Sequence, residues 1–119
     1  LKNVGVAYID LNGLKAINDN YGHSNGDKFI CTAADTFKMV FPDNSYRIGG
    51  DEFVIIEQNI ERDKYEERIT ALKNIMQDKQ VSISIGVLWR EQVDDLEALL
   101  KSADKLMYME KEMYHKNRE

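Results

Sequence analysis

With 119 residues, 43% hydrophobic and 31% charged, the chain has the size and balance of one ordinary globular domain. A net charge of −5 at pH 7 leaves no basic footprint, so no nucleic-acid partner is expected. No apolar run is long enough to span a bilayer and no signal-peptide pattern opens the chain, so no membrane contact is expected of this domain.

Asn3 to Ile9 reads as a first strand that ends at Asp10. A strand ending in an acid and leading into a glycine-containing loop, Leu11 to Leu14, is expected to place Asp10 at a sheet edge, where ligand sites collect. That loop opens into a helical stretch whose first backbone N–H groups can cradle phosphate; a plain turn with Asp10 as helix cap is the alternative. Gly26 to Phe41 reads as a helix that packs Phe29, Ile30, Ala33, Ala34, Phe37, Val40 and Phe41 on one face. Ser24 or Asn25 caps its start and Pro42 stops it. Cys31, the single cysteine, lies in this apolar stretch and reads as a buried free thiol of a reducing cytosol.

Ser45 to Glu57 reads as a β-hairpin, with Gly49-Gly50-Asp51-Glu52 at its turn between two apolar runs. The glycines are expected to reach positive φ and to let a bulky ligand approach the backbone. Two carboxylates at a hairpin tip suit a hard cation, although a solvated tight turn has the same composition. Glu61 to Gln77 is a second helix with a stripe of Tyr65, Ile69, Leu72 and Met76. Val81 to Leu88 alternates as a half-buried strand, and Asp94 to Glu97 fits an acidic capping box before a last helix with Leu96, Leu99, Leu100, Ala103, Leu106 and Met107 on its apolar face. The order β-α-β-β-α-β-α predicts an α+β fold, a ferredoxin-like split βαβ core with an antiparallel-rich sheet and helices on one or both faces. Residues 1–119 form one domain.

Five blocks together resemble the GGDEF family of diguanylate cyclases. They are Asp10 to Asp19 with Tyr21-Gly22-His23, then Gly26-Asp27, then Gly49 to Phe53, then Val81 to Val87, then Ala103 to Tyr108. They occur in the family's order and at its approximate spacing. The family's initial helix and its D-x-L-T-G-L-x-N-R turn have no counterpart here, so the resemblance is to a domain lacking that N-terminal part.

The resemblance implies metal-dependent condensation of two GTP into cyclic di-GMP with release of pyrophosphate, carried out by a two-fold homodimer. It implies Mg²⁺ as cofactor, two ions per active site, with Mn²⁺ as a substitute. Metal ligands would be Asp10, Asp51 and the carbonyl of Leu11, with Asp51 and Glu52 as the catalytic acids; Glu52 would be either a ligand or the base for the 3′-hydroxyl proton. Asn12 stands where many members have a second acid and is not counted as a ligand. Asn18 and Asp27 match the guanine-recognising positions, Lys15 and Lys111 the lysines near the triphosphate, and Gly49 and Gly50 the backbone that the nucleotide approaches. A family arginine is replaced by His115, with Lys116 and Arg118 nearby. The inhibitory product site of many members, R-x-x-D, is reduced to Val40 and Asp43, which cannot offer a guanidinium fork. A cytoplasmic location and a sensor or other regulatory domain elsewhere in the protein are expected. The rival readings are a catalytically inactive GTP-binding regulatory module and a structural dimerisation domain.

Overall fold

The computed structural model describes residues 1–118, with the side chain of Arg118 and all of Glu119 outside the described part. The chain runs β1 (Lys2–Leu11), α1 (Leu14–Tyr21), α2 (His23–Val40), β2 (Ser45–Arg47), β3 (Glu52–Glu57), α3 (Arg62–Asp78), β4 (Ile83–Gln92) and α4 (Leu96–Arg118). The strands form one sheet in the order β2-β3-β1-β4, with each neighbouring pair antiparallel. This is the expected α+β split βαβ arrangement, with one helix more than predicted between β1 and β2.

Helix α1 begins after Gly13 at φ 80° and ends at Gly22 at φ 88°, and α2 starts on the next residue. Both glycines occupy the left-handed region that other residues adopt only with strain. The N-cap of α2 is therefore Gly22, not Ser24 or Asn25. Asn25 instead donates from Nδ2 back to the Tyr21 carbonyl at 2.6 Å, closing the end of α1.

Because side chains alternate along a strand, β1 feeds two cores. Ala7, Ile9 and Leu11 join Phe37 of α2, Phe41 just after it, and Tyr65, Ile69, Leu72 and Met76 of α3 on one face of the sheet. Val4 and Val6 join Val93, Leu99 and Ala103 under α4 on the other. The α3 stripe is buried as predicted. Cys31 is exposed, a correction to its buried reading: it lies on the opposite side of α2 from Ala33 and Phe37.

Strand β4 also departs from its predicted pattern. Ile85 faces the first core, but the Ser84 and Gly86 side is buried as well, because α4 lies across it. A Cβ on Gly86 would come within 1.9 Å of the Ala103 carbonyl oxygen and 2.6 Å of the Met107 nitrogen. Gly86 thus sets how closely α4 approaches the sheet. The start of α4 is capped by Asp95, whose Oδ1 accepts from the Ala98 N–H at 3.0 Å; the cap lies one residue beyond the predicted Asp94.

Candidate active site

Asp10 is not at a sheet edge. It closes β1, an interior strand, on the α4 side of the sheet, and is only 4% exposed. Its register partner across β1 and β3 is Glu52. The next residue, Leu11, donates its N–H to the Asp51 carbonyl at 2.9 Å, which ties the hairpin turn to the end of β1. Asp10, Asp51 and Glu52 therefore converge, and residues 41 apart in sequence share one site through strand register.

The turn is built differently from expectation. Neither Gly49 nor Gly50 has a positive φ. Arg47 organises it, donating from Nε to the Gly49 carbonyl at 3.1 Å and from Nη2 to the Gly50 carbonyl at 2.7 Å. A Cβ on Gly49 would sit 3.3 Å from Glu52 Oε1, whereas one on Gly50 would meet nothing within 4 Å. Space at Gly50 is left open to whatever approaches the turn.

A cation reaches this acidic cluster from α4. Lys111 Nζ donates to Asp10 Oδ2 at 2.6 Å, while Asp10 Oδ1 is buried without a partner. Burial pushes the Asp10 carboxyl above the ordinary carboxylate range, the Lys111 hydrogen bond pulls it back, and neighbouring Asp51 pushes it up again. Glu52 is raised by burial and then by Asp10, Asp104 and Asp51. Lys111 is raised by its bond to Asp10 and by Asp51 and Glu52. Burial and adjacent Glu52 likewise raise the Tyr8 phenol. The arrangement concentrates negative charge around one ammonium group.

Beside the cluster opens a cleft of about 400 Å³. Leu11, Gly13, Leu14, Lys15, Asp51 and Lys111 line it, with Tyr114 and His115 closing the α4 side. The first turn of α1 faces this cleft without a side-chain cap. Asn12 contributes differently from its neighbours. It is 6% exposed, donates from Nδ2 to Ser82 Oγ at 3.0 Å and accepts from Ser84 Oγ at 2.9 Å, so it locks the end of β1 to β4. Asn18 packs against α2: a Cβ on Gly26 would fall 1.7 Å from Asn18 Oδ1. Asp27 is exposed beside Gly26, and the two predicted base-recognition residues flank the α1–α2 junction. Val40 packs against the core at the end of α2, and Asp43 is exposed in the turn that follows. A second cleft of about 460 Å³, between the end of α3 and the start of β4, contains none of the predicted site residues.

Three site residues carried no role in the sequence reading. Arg47 interrupts an apolar run immediately before the glycines, and that placement was its only signal. Tyr8 reads as one more apolar strand residue, and Asp104 acquires meaning only once α4 crosses the sheet beside Glu52.

Among the described residues, no three His, Cys, Asp or Glu side chains group as a metal site by themselves. Two carboxylates, Asp10 and Asp51, could still hold Mg²⁺, which binds through one or two carboxylates and completes its shell with water and substrate oxygens. The unpartnered Oδ1 of Asp10, beside Asp51, is an oxygen donor left available for such an ion.

The family model for the diguanylate cyclase GGDEF domain matches residues 1–117, and the chain belongs to that family. It is similar to signaling protein YkoW of Bacillus subtilis, 38% identical over 124 aligned residues that cover 92% of this chain and 15% of that protein. It is also similar to diguanylate cyclase DgcS of Shewanella oneidensis, 35% identical over 115 residues, covering 91% of this chain and 39% of that protein. The chain thus spans well under half the length of these curated relatives. Among solved structures, the GGDEF domain of DgcB from Caulobacter crescentus, in complex with c-di-GMP, superposes with a TM-score of 0.81 at 20% identity, covering 93% of this chain and 73% of that one, a likeness of fold.

Proposed function

We propose that this domain condenses two GTP into cyclic di-GMP as a two-fold homodimer in the cytoplasm. The observation that carries the reading is the grouping of Asp10, Asp51 and Glu52 around Lys111, beside a cleft at the start of α1 that Asp51 and Lys111 also line. Each 3′-oxygen forms a bond to the α-phosphorus of the opposite nucleotide, and the bond to the β-phosphate oxygen breaks. Two pyrophosphates leave. Attack from both nucleotides requires two copies of the site to face one another.

Residues of this chain would mainly position and neutralise. The uncapped first turn of α1, with Lys15 and Lys111, holds the triphosphate. Asn18 and Asp27 pair with the guanine edge, where a carboxylate matches the N1–H and N2–H₂ donors. Gly50 leaves room for nucleotide against the turn. Glu52 would take the 3′-hydroxyl proton, a role supported by the rise in its proton affinity from burial and its neighbours. Asp10, Asp51 and the Leu11 carbonyl would hold Mg²⁺ or Mn²⁺, which when bound neutralises phosphate charge and activates the attacking oxygen.

The test is incubation with GTP and Mg²⁺, with the domain fused to a dimeric coiled coil so that pairing is assured. Cyclic di-GMP and pyrophosphate in a ratio of 1:2, lost by about 100-fold or more in Asp10→Asn and Asp51→Asn, is the expected result. Guanine-selective binding of GTP without any product in the paired protein would instead assign a regulatory module.

A further inference from the structure

We propose that Lys111 is a built-in stand-in for the metal ion: its ammonium occupies Asp10 when no metal is bound and is exchanged onto the nucleotide phosphates when metal enters. The inference rests on the metal-site reading given above and adds a coupling between the two ligands. Three observations carry it.

Asp10 is a nearly buried carboxylate, with its side chain 5% exposed, and it faces Glu52 across the register with Asp51 alongside. A buried charge must be paired, and Lys111 supplies the pair at 2.6 Å, reaching across 101 residues of sequence. It satisfies only Oδ2; Oδ1 remains without a partner. The ion pair therefore leaves one oxygen of the Asp10 carboxylate, in a group that also neighbours Asp51, without a hydrogen-bond partner.

Lys111 also lines the 400 Å³ cleft, and its side chain is 33% exposed. A compact charge on a flexible four-carbon stem can reach either neighbour, and an ammonium drawn onto phosphate neutralises Asp10 less. A divalent ion on Asp10 repels the ammonium toward the cleft. A triphosphate in the cleft attracts it away from Asp10. Each event makes the other easier, and the effect is reciprocal by linkage. The backbone of α4 need not move, because Gly86 already seats it closely against the sheet.

The distinguishing experiment is titration with Mn²⁺ alone, without nucleotide, followed by the electron paramagnetic resonance signal of free Mn²⁺. Removal of a competitor should tighten metal binding, so Lys111→Met is expected to bind Mn²⁺ about tenfold more tightly than the unaltered protein. Lys111→Arg, which keeps a cation on Asp10, should stay near the starting affinity. A Lys111→Met protein that binds Mn²⁺ equally or more weakly, while binding in the unaltered protein still disappears in Asp10→Asn, would overturn the exchange and leave the metal site standing. Binding untouched by Asp10→Asn would overturn both. A measurement on the unaltered protein covers the case in which Lys111→Met does not fold. The ¹⁵N-labelled Lys111 ammonium should show a slowly exchanging NMR signal in chelator that is lost on saturation with Mg²⁺; a signal unchanged by Mg²⁺ would refute the exchange.

Discussion

Asp10 and Glu52 stand directly opposite one another on β1 and β3, two acids in a register position that strands ordinarily fill with apolar or oppositely charged pairs. Like charges so placed destabilise a sheet, by up to about 1 kcal/mol in the absence of a bound cation. Glu52→Gln is therefore expected to raise the melting temperature of the metal-free protein at neutral pH while abolishing product formation. The folded-state proton affinity of Glu52 is raised above its ordinary value. Its charge therefore costs stability above the folded pKa and costs nothing below the unfolded one. The advantage of Glu52→Gln should shrink as pH falls through the carboxylate range. Thermal melts at a series of pH values in chelator check this; a variant less stable than its parent at neutral pH would contradict it.

Arg47 pins the turn through two carbonyls and touches no acid of the cluster by hydrogen bond. It is exposed, so Arg47→Met should cost less than about 1 kcal/mol of stability. Activity should fall by about tenfold or more, since the turn carries Asp51 and Glu52. Arg47→Lys should rescue little, because one ammonium cannot span both carbonyls as the guanidinium fork does. Paired denaturation and product assays separate the two effects.

Gly86→Ala tests how α4 is held. The added methyl would strike backbone atoms of Ala103 and Met107 that have no rotamer to escape into. A loss of about 3 kcal/mol in chemical denaturation is expected. Whatever protein remains folded should have lost Lys111 from Asp10.

Gly26→Ala acts through a flexible neighbour instead. The clash is with Asn18 Oδ1, the end of a side chain that can swing aside. The fold should survive with little change in melting temperature, while preference for GTP over ATP in a binding titration should fall, the same loss being expected of Asn18→Ala. Preserved selectivity in Gly26→Ala, with Asn18→Ala harmful, would mean that Asn18 recognises the base from a different rotamer.

Much of this arrangement could be read in advance. The stripe Tyr65, Ile69, Leu72 and Met76 is a helical period with apolar side chains, and all four are buried. The acids are legible because Asp10 ends an apolar run and Asp51-Glu52 follow a glycine pair at a turn between two apolar runs. What was not legible depended on contacts between distant segments. The burial of Ser84 and Gly86 comes from α4 crossing them, which their small size alone did not reveal. The split between α1 and α2 rests on the φ of one glycine, Gly22, within a continuous helical pattern. The turn looked like one that needs positive φ, yet it is held by the Arg47 side chain. Asn12 occupies an acid's place in the motif but serves as a buried clasp to Ser82 and Ser84.

The most direct measurement of the central claim is anomalous diffraction from crystals grown with Mn²⁺ and a non-hydrolysable GTP analogue. The expected result is a manganese peak within about 2.2 Å of oxygens from Asp10 and Asp51, adjacent to the triphosphate, with Lys111 on phosphate and guanine beside Asn18 and Asp27. Nucleotide bound in the cleft with no manganese on Asp10 or Asp51, and Lys111 still paired with Asp10, would contradict it.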